Sequence, residues 1–102
     1  MPREENVPII VGELAVVLYS QIDERHRPSP GCRHIVYKNG EMGPAWGVAI
    51  CEVVDGQNYV LFRCEDDWYP ASDTTHASLE EAKNRAEREY EGLAATWEVP
   101  PS

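Results

Sequence analysis

The sequence WGVAICEVVDGQNYVLFRCE, residues 46–65, contains two runs rich in β-branched and aromatic residues on either side of Asp55-Gly56. A two-residue type I′ turn needs a positive φ at both central positions, and Asp-Gly meets that need at low cost. The stretch therefore predicts a β-hairpin in which the numbers of paired residues add up to 111. In this register Cys51 lies opposite Val60.

Both faces of the predicted hairpin are apolar. One face carries the small residues Gly47, Ala49 and Cys51. The other face carries Val48, Ile50, Tyr59 and Leu61. One helix cannot cover both faces, and large exposed apolar patches usually mark interaction sites. We expect a helix on the small-residue face, and a subunit, partner or ligand on the second face. The alternative is that the N-terminal segment or the loop at 37–46 folds over that second face.

The clearest helix signal follows Ser78. Ser78 and Glu81 have the spacing of a capping box, in which each side chain satisfies a backbone amide of the first turn. Apolar residues then recur at steps of three or four: Leu79, Ala82, Ala86, Tyr90 and Leu93. Gly92 is suited to a left-handed C-terminal stop. We predict a helix over 79–91 whose alanines approach the sheet.

The remaining apolar segments predict further strands and an α+β fold. The strands are expected near 9–20, 33–38, 46–54 and 57–64. They form an antiparallel sheet of about four strands, with the one C-terminal helix packed on one face. A chain of 102 residues is the size of a single domain, 1–102, with flexible ends expected at 1–7 and 99–102.

The charge distribution restricts the partners. The chain has nine basic and eighteen acidic residues, and the entire net charge of −9 arises after Gly40. Binding to a nucleic-acid backbone requires clustered Lys and Arg, so a nucleic-acid partner is not expected. A basic protein partner is compatible with this charge.

The cysteines and the hydropathy pattern predict a soluble, cytoplasmic protein. Cys32, Cys51 and Cys64 are an odd number without a C-x-x-C spacing, as is usual for reduced thiols. The longest apolar run, VPIIVGELAVVLY, is shorter than the ~20 residues that span a bilayer. A signal peptide is not expected, because MPREEN lacks a net positive charge and no small-x-small cleavage site follows before QIDERHRP. We therefore expect no membrane association.

The run EDDWYPASDTTHASLEEA, residues 65–82, predicts a turn-rich connection from the sheet to the helix. Glu65, Asp66 and Asp67 are adjacent carboxylates beside Trp68. They lack the ligand periodicity of a calcium loop, which leaves a solvated acidic turn or a docking patch for a basic partner.

No catalytic, cofactor-binding or metal-binding residue is predicted. His76 lies just outside a helix N-terminus, where a positive imidazole is unfavourable, and we expect it to be neutral. Cys32 and His34, with His26 nearby, lack a second ligand pair for zinc. The candidate partner or ligand surface comprises Trp46, Ile50, Tyr59, Leu61, Asp66, Asp67, Trp68 and His76.

Several motifs resemble those of a group of small uncharacterised bacterial proteins. The shared patterns are W-G-x-A-I at 46–50, C-x-x-D-W at 64–68, D-T-x-H-x-[ST]-L-E-E-A at 73–82 and E-Y-E-G at 89–92. The resemblance covers about 32–92 and implies no activity or catalytic residue. Such short acidic proteins also resemble those carried on mobile elements, including gene cassettes and toxin-neutralising genes.

These observations favour a non-enzymatic binding protein that forms a homodimer through its second sheet face. One rival is an immunity-type or antitoxin-type protein whose acidic surface neutralises a basic toxin. Another is a small-ligand or weakly enzymatic pocket lined by Trp46, Trp68, Tyr59 and His76.

Overall fold

The computed structural model describes residues 7–28, 36–38, 41–43, 45–53 and 57–100. Within these residues it has an α+β fold with one α-helix, α1, at Leu79–Glu89. Turns of 3₁₀ helix occur at Asp66–Trp68 and Leu93–Ala95. The strands are β1 (Ile10–Val11), β2 (Leu14–Gln21), β3 (Arg27–Pro28), β4 (Val36–Lys38), β5 (Glu41–Gly43), β6 (Gly47–Glu52), β7 (Tyr59–Glu65), β8 (Tyr69–His76) and β9 (Tyr90–Glu91).

The main sheet is antiparallel and has five strands in the order β1-β2-β6-β7-β8. Two short ribbons, β3 with β9 and β4 with β5, lie beside it. The predicted α+β class with one helix is confirmed, and the sheet has one strand more than the four expected.

Strands β6 and β7 form the predicted hairpin. Gly47 lies opposite Cys64, and Cys51 lies opposite Val60, so the register predicted from Asp-Gly is confirmed. The turn at 54–56 lies outside the described residues. The hairpin occupies the middle of the sheet, with β2 on one side and β8 on the other.

Helix α1 packs on the opposite face of the hairpin from the one predicted. Ile50 and Leu61 form a buried cluster with the helix residues Ala82 and Ala86. Small helix residues against larger sheet residues fill the space at close-packed density, whereas alanines against the small-residue face would leave voids. The helix was therefore predicted on the wrong face, and α1 covers the Ile50 face in place of the subunit, partner, ligand or N-terminal segment expected there.

The face that carries Ala49, Cys51 and Phe62 is closed by the N-terminal hairpin. Gly12 and Glu13 have φ values of 57° and 69°, as a two-residue turn between β1 and β2 requires. A Cβ atom on Gly12 would lie 2.6 Å from the ring of Phe62, because the sheet curls until this turn rests on β7. The single strand predicted near 9–20 is therefore two strands.

The strand predicted at 33–38 is not part of the main sheet. Val36–Lys38 pairs with Glu41–Gly43 in a separate ribbon, and residues 33–35 lie outside the described part of the chain. The loop then returns to the sheet at Trp46, whose amide donates to the carbonyl of Cys64 at 2.9 Å.

Strand β8 replaces the predicted turn-rich connection. Tyr69–His76 pairs with β7 along its whole length, with a bulge opposite Arg63 and Cys64. Its residues alternate between exposed and half-buried, as expected for an outer strand. Pro70, Ala71 and Asp73 are residue types of low strand propensity, but pairing with the central strand β7 overrides it here.

Helix α1 begins as predicted and ends two residues early. The Ser78 hydroxyl accepts a hydrogen bond from the amide of Glu81 at 3.1 Å, which confirms the N-cap. Tyr90 is extended, and Tyr90–Glu91 pairs with Arg27–Pro28 instead of continuing the helix. Gly92 has the predicted positive φ, at 109°.

The ends that were expected to be flexible fall largely outside the described residues. Val7 packs against the N-terminal side of the core, and Val99 is exposed. Among the described helices, α1 included, none is long and apolar enough to cross a membrane.

Replacing Ile50 by Ala should lower the free energy of unfolding by about 2–5 kcal/mol, because the change leaves a cavity beneath α1. Val99→Ala is the control: Ile50 is 0% exposed and Val99 is 73% exposed. The control should change stability by less than about 0.5 kcal/mol. Urea denaturation of both variants measures the difference, and equal effects would contradict the packing described.

Replacing Ser78 by Ala should cost about 1 kcal/mol, because the amide of Glu81 loses its acceptor. Ser78→Asp keeps an acceptor at the same position and should restore most of that loss. Thermal unfolding of the two variants tests the cap, and a neutral Ser78→Ala change would argue against it.

Candidate functional site

The structure divides the predicted surface residues between buried and exposed positions. Ile50 and Leu61 are fully buried beneath α1, so neither offers a surface to a partner. Tyr59 is half-buried at the edge of the same cluster. Asp67 is exposed, and the side chain of Asp66 lies outside the described part of the structure.

Trp68 is the centre of an aromatic cluster on the other face of the sheet. Its ring lies 4.9 Å from that of Trp46 and 5.6 Å from that of Tyr19, both in edge-to-face geometry, which is favourable for aromatic pairs. A Cβ on Gly47 would lie 2.6 Å from the indole, so the ring rests directly on the backbone of β6. The cluster closes one part of the core.

The predicted pocket of Trp46, Trp68, Tyr59 and His76 does not form. Trp46 and Trp68 belong to the cluster on the N-terminal face, whereas Tyr59 belongs to the cluster beneath α1. His76 is the cross-strand partner of Tyr59 and shares its face. The sheet therefore separates the two pairs.

The acidic turn before β8 has an unusual backbone. Asp67 and Trp68 both lie in the left-handed region, with φ values of 61° and 64°. This region costs an L-residue roughly 1–2 kcal/mol, although Asp tolerates it better than most. Burial of the Trp68 ring offsets this cost and holds the turn in place, and Asp67 then projects into solvent.

Arg63 is a fully buried cation on β7, beside the end of α1. Its Nε and Nη2 atoms donate to the two carboxylate oxygens of Glu89 at 3.0 and 2.6 Å. Its Nη1 atom donates to the carbonyl of Leu61 at 3.1 Å and to the hydroxyl of Thr74 at 3.0 Å. Glu89 also accepts a 2.7 Å hydrogen bond from Arg85. These bonds connect β7, β8 and α1.

His76 extends this network to the end of β8. Its Nε2 atom lies 2.8 Å from the hydroxyl of Thr74. Burial lowers the pKa of His76, and the nearby cations of Arg63 and Arg85 lower it further. The neutral imidazole predicted from the sequence agrees with this direction.

A second buried network surrounds His26, which the sequence analysis considered only as a possible zinc ligand. The Nε2 atom of His26 lies 2.8 Å from the hydroxyl of Thr96, which lies 2.8 Å from that of Ser20. The Nδ1 atom accepts from the amide of Asp23 at 3.1 Å, which places the ring proton on Nε2. The Nε2 atom of His26 therefore donates to the hydroxyl of Thr96. A general base would instead accept a proton from that hydroxyl. No sequence spacing could have revealed the network, since Ser20 and Thr96 are 76 residues apart.

The described cysteines are unsuited to nucleophilic chemistry. Burial raises the pKa of both Cys51 and Cys64 to about 12, so the thiolate is scarce near neutral pH. Cys32 and His34 lie outside the described residues. Within the described residues, no group of three or more His, Cys, Asp or Glu side chains could hold a metal ion.

The free side of β8 is the most distinctive surface. In the described part of the structure, β8 is hydrogen-bonded only to β7. Tyr69 is 67% exposed, and Asp73 and Thr75 are also exposed. Residues 65–82 contain six carboxylates and no Lys or Arg. We call this surface the acidic edge. It consists of strand β8 and the four exposed carboxylates of residues 65–82, which are Asp67, Asp73, Glu80 and Glu81.

Comparison with protein-family models, with curated proteins and with solved structures finds no match. The resemblance to small bacterial proteins therefore stays a prediction.

Replacing Glu89 by Gln should cost roughly 3–5 kcal/mol, because Arg63 keeps its buried charge and loses the counter-charge. Arg63→Met should cost less, since Glu89 retains its bond to Arg85. The exposed Glu80→Gln change should alter stability by less than about 0.5 kcal/mol and serves as the control. Chemical denaturation ranks the three variants, and a neutral Glu89→Gln change would contradict the role of the pair.

Proposed function

We propose that the protein is a non-enzymatic binding module that holds an extended, basic segment of a partner protein along its acidic edge. The observation that supports this proposal is the open side of β8. An outer strand presents unpaired N–H and C=O groups, to which an extended peptide adds as a further strand.

The second half of β8 is the better docking segment. Pro70 cannot donate a backbone hydrogen bond, and the bulge opposite Arg63 and Cys64 interrupts the ladder next to it. These features protect the first half against unspecific pairing. From Ser72 to His76 the pairing with β7 is regular, and this part of the backbone is suited to receiving a partner strand.

The charge of the edge selects the partner. Asp67 lies in the turn before β8, Asp73 lies on β8, and Glu80 and Glu81 follow at the start of α1. Lys and Arg side chains on an added strand complement these carboxylates and accelerate association. A basic toxin neutralised by an immunity-type protein is one partner with this chemistry. A nucleic acid is negatively charged and would be repelled by these carboxylates.

Both sheet faces of the protein are covered, so a homodimer through the Ile50 face is no longer the favoured arrangement. A different observation supports self-association as a second candidate: Ile9 and Ile10 are 56% and 61% exposed at the opposite edge of the sheet. Pairing of two β1 edges would bury these side chains. The solution mass, measured by light scattering at low and high salt, tests this second candidate. A salt-resistant dimer that Ile10→Lys converts to a monomer supports it, and a monomeric wild type excludes it.

The buried, unpaired thiols of Cys51 and Cys64 fit a reducing compartment. A cytoplasmic location is therefore part of the proposal.

A synthetic peptide of about ten residues that alternates lysine and valine should bind at the acidic edge, because its length matches β8. Amide chemical shifts of the protein should change along β8 and at the start of α1, and the affinity should fall with salt. The matched control is a peptide that alternates glutamate and valine. Equal binding of both peptides, or shift changes elsewhere, would refute the proposal.

The double variant Asp67→Asn/Asp73→Asn should weaken the lysine peptide by roughly threefold or more, since each exposed ion pair contributes about 0.2–1 kcal/mol. Glu91→Gln is the control, because Glu91 is an exposed carboxylate on β9, outside the acidic edge. Isothermal calorimetry of the two variants compares the effects, and an equal loss in both would indicate unspecific attraction to the net charge.

A further inference from the structure

The hydroxyl of Thr74 stands between Arg63 and His76. It accepts a hydrogen bond from Arg63 Nη1 at 3.0 Å, and its oxygen lies 2.8 Å from His76 Nε2. A hydroxyl has a single proton, and here that proton is available for the imidazole. When the imidazole is neutral and its Nε2 atom is unprotonated, a chain of donors runs from Arg63 through Thr74 to His76.

The charges that face His76 disfavour a third cation. Arg63 on β7 and Arg85 on α1 share the single carboxylate of Glu89, so this group already carries one excess positive charge. Protonation of His76 would raise that excess. It would also direct an N–H at the oxygen of Thr74, which then loses the partner for its own proton.

The other neighbours of His76 do not reverse this balance. Glu81 on α1 favours the protonated form, but its influence is smaller than that of Arg63 and Arg85. Its carboxylate also accepts from the amide of Ala77 at 3.2 Å. Tyr59 is the cross-strand partner of His76 on β7.

We propose that His76 is a proton-sensitive latch that holds the C-terminal half of β8 against Arg63 and α1. The neutral imidazole closes the latch through Thr74. Protonation turns Nε2 into a second cationic donor beside Arg63 on the Thr74 oxygen, which weakens the hold on the end of the outer strand. This property belongs to the free protein and does not depend on the partner proposed above.

The direction of the pH response follows from the lowered pKa. The ordinary pKa of 6.5 applies to the unfolded chain, and the folded value is lower. The latch therefore stabilises the fold fully above pH 6.5, and this contribution is lost as the pH falls through the folded pKa. Mild acid loosens the strand, whereas a rise above neutral pH leaves it unchanged.

Amide hydrogen exchange at about pH 7.5 and about pH 5.5, corrected for the intrinsic exchange rate, tests the latch. Protection of those amides at 74–76 that bond to β7 should fall severalfold in wild type at the lower pH, because the pKa of His76 is lowered in the folded protein. In His76→Gln, which cannot be protonated, protection should be the same at both values. An equal fall in His76→Gln would assign the acid response to a carboxylate and overturn the proposal.

Titration of the wild-type imidazole signals by NMR gives an independent answer if His76→Gln does not fold. A midpoint for His76 below the ordinary 6.5, accompanied by shifts at Thr74, supports the latch. A midpoint at or above this value, or protonation without any change along β8, overturns it.

Discussion

The architecture depends on a central hairpin that is apolar on both faces. Such a hairpin is stable only when both faces are removed from water. Helix α1 covers one face, with Ala82 and Ala86 against Ile50 and Leu61. The chain covers the other face by curling the sheet until the turn at Gly12 meets Phe62. A chain of this size thus builds two small cores on the two sides of one sheet.

The buried ion pair of Arg63 and Glu89 fixes how the two layers are aligned. A buried pair contributes little net stability compared with apolar side chains of the same size, because both ions lose their water. It does impose geometry, since the guanidinium and the carboxylate meet in a bidentate arrangement. With Thr74 as a further acceptor, one side chain sets the relative positions of β7, β8 and α1.

Signals that are local in sequence predicted local structure well. The Asp55-Gly56 dipeptide predicted the hairpin register, and Ser78 predicted the start of the helix. The choice of face could not be read from the hairpin alone, because it depends on how side chains of different size pack across layers. Strand β8 lacks apolar alternation, and only its pairing with β7 makes it a strand.

The candidate site was predicted only in part. Asp67 was expected on an exposed acidic turn and is exposed there. The network of Arg63, Thr74 and Glu89 was not anticipated, because a charged residue in a strand is normally expected at the surface. Its members are brought together by the packing of α1 on the sheet, and no pattern along the chain records that contact.

The order of the strands has a consequence for how the molecule folds. From β6 to α1, neighbours along the chain are neighbours in space, whereas β2 joins β6 only across the intervening loop. Closing a longer loop costs more entropy, so the segment from β6 to α1 is expected to assemble first and the N-terminal hairpin to dock later. Until it docks, Phe62 and its neighbours are open to solvent, which makes this late step the moment of greatest aggregation risk. If this order holds, mutations in β7 change mainly the folding rate, whereas mutations in β1 change mainly the unfolding rate.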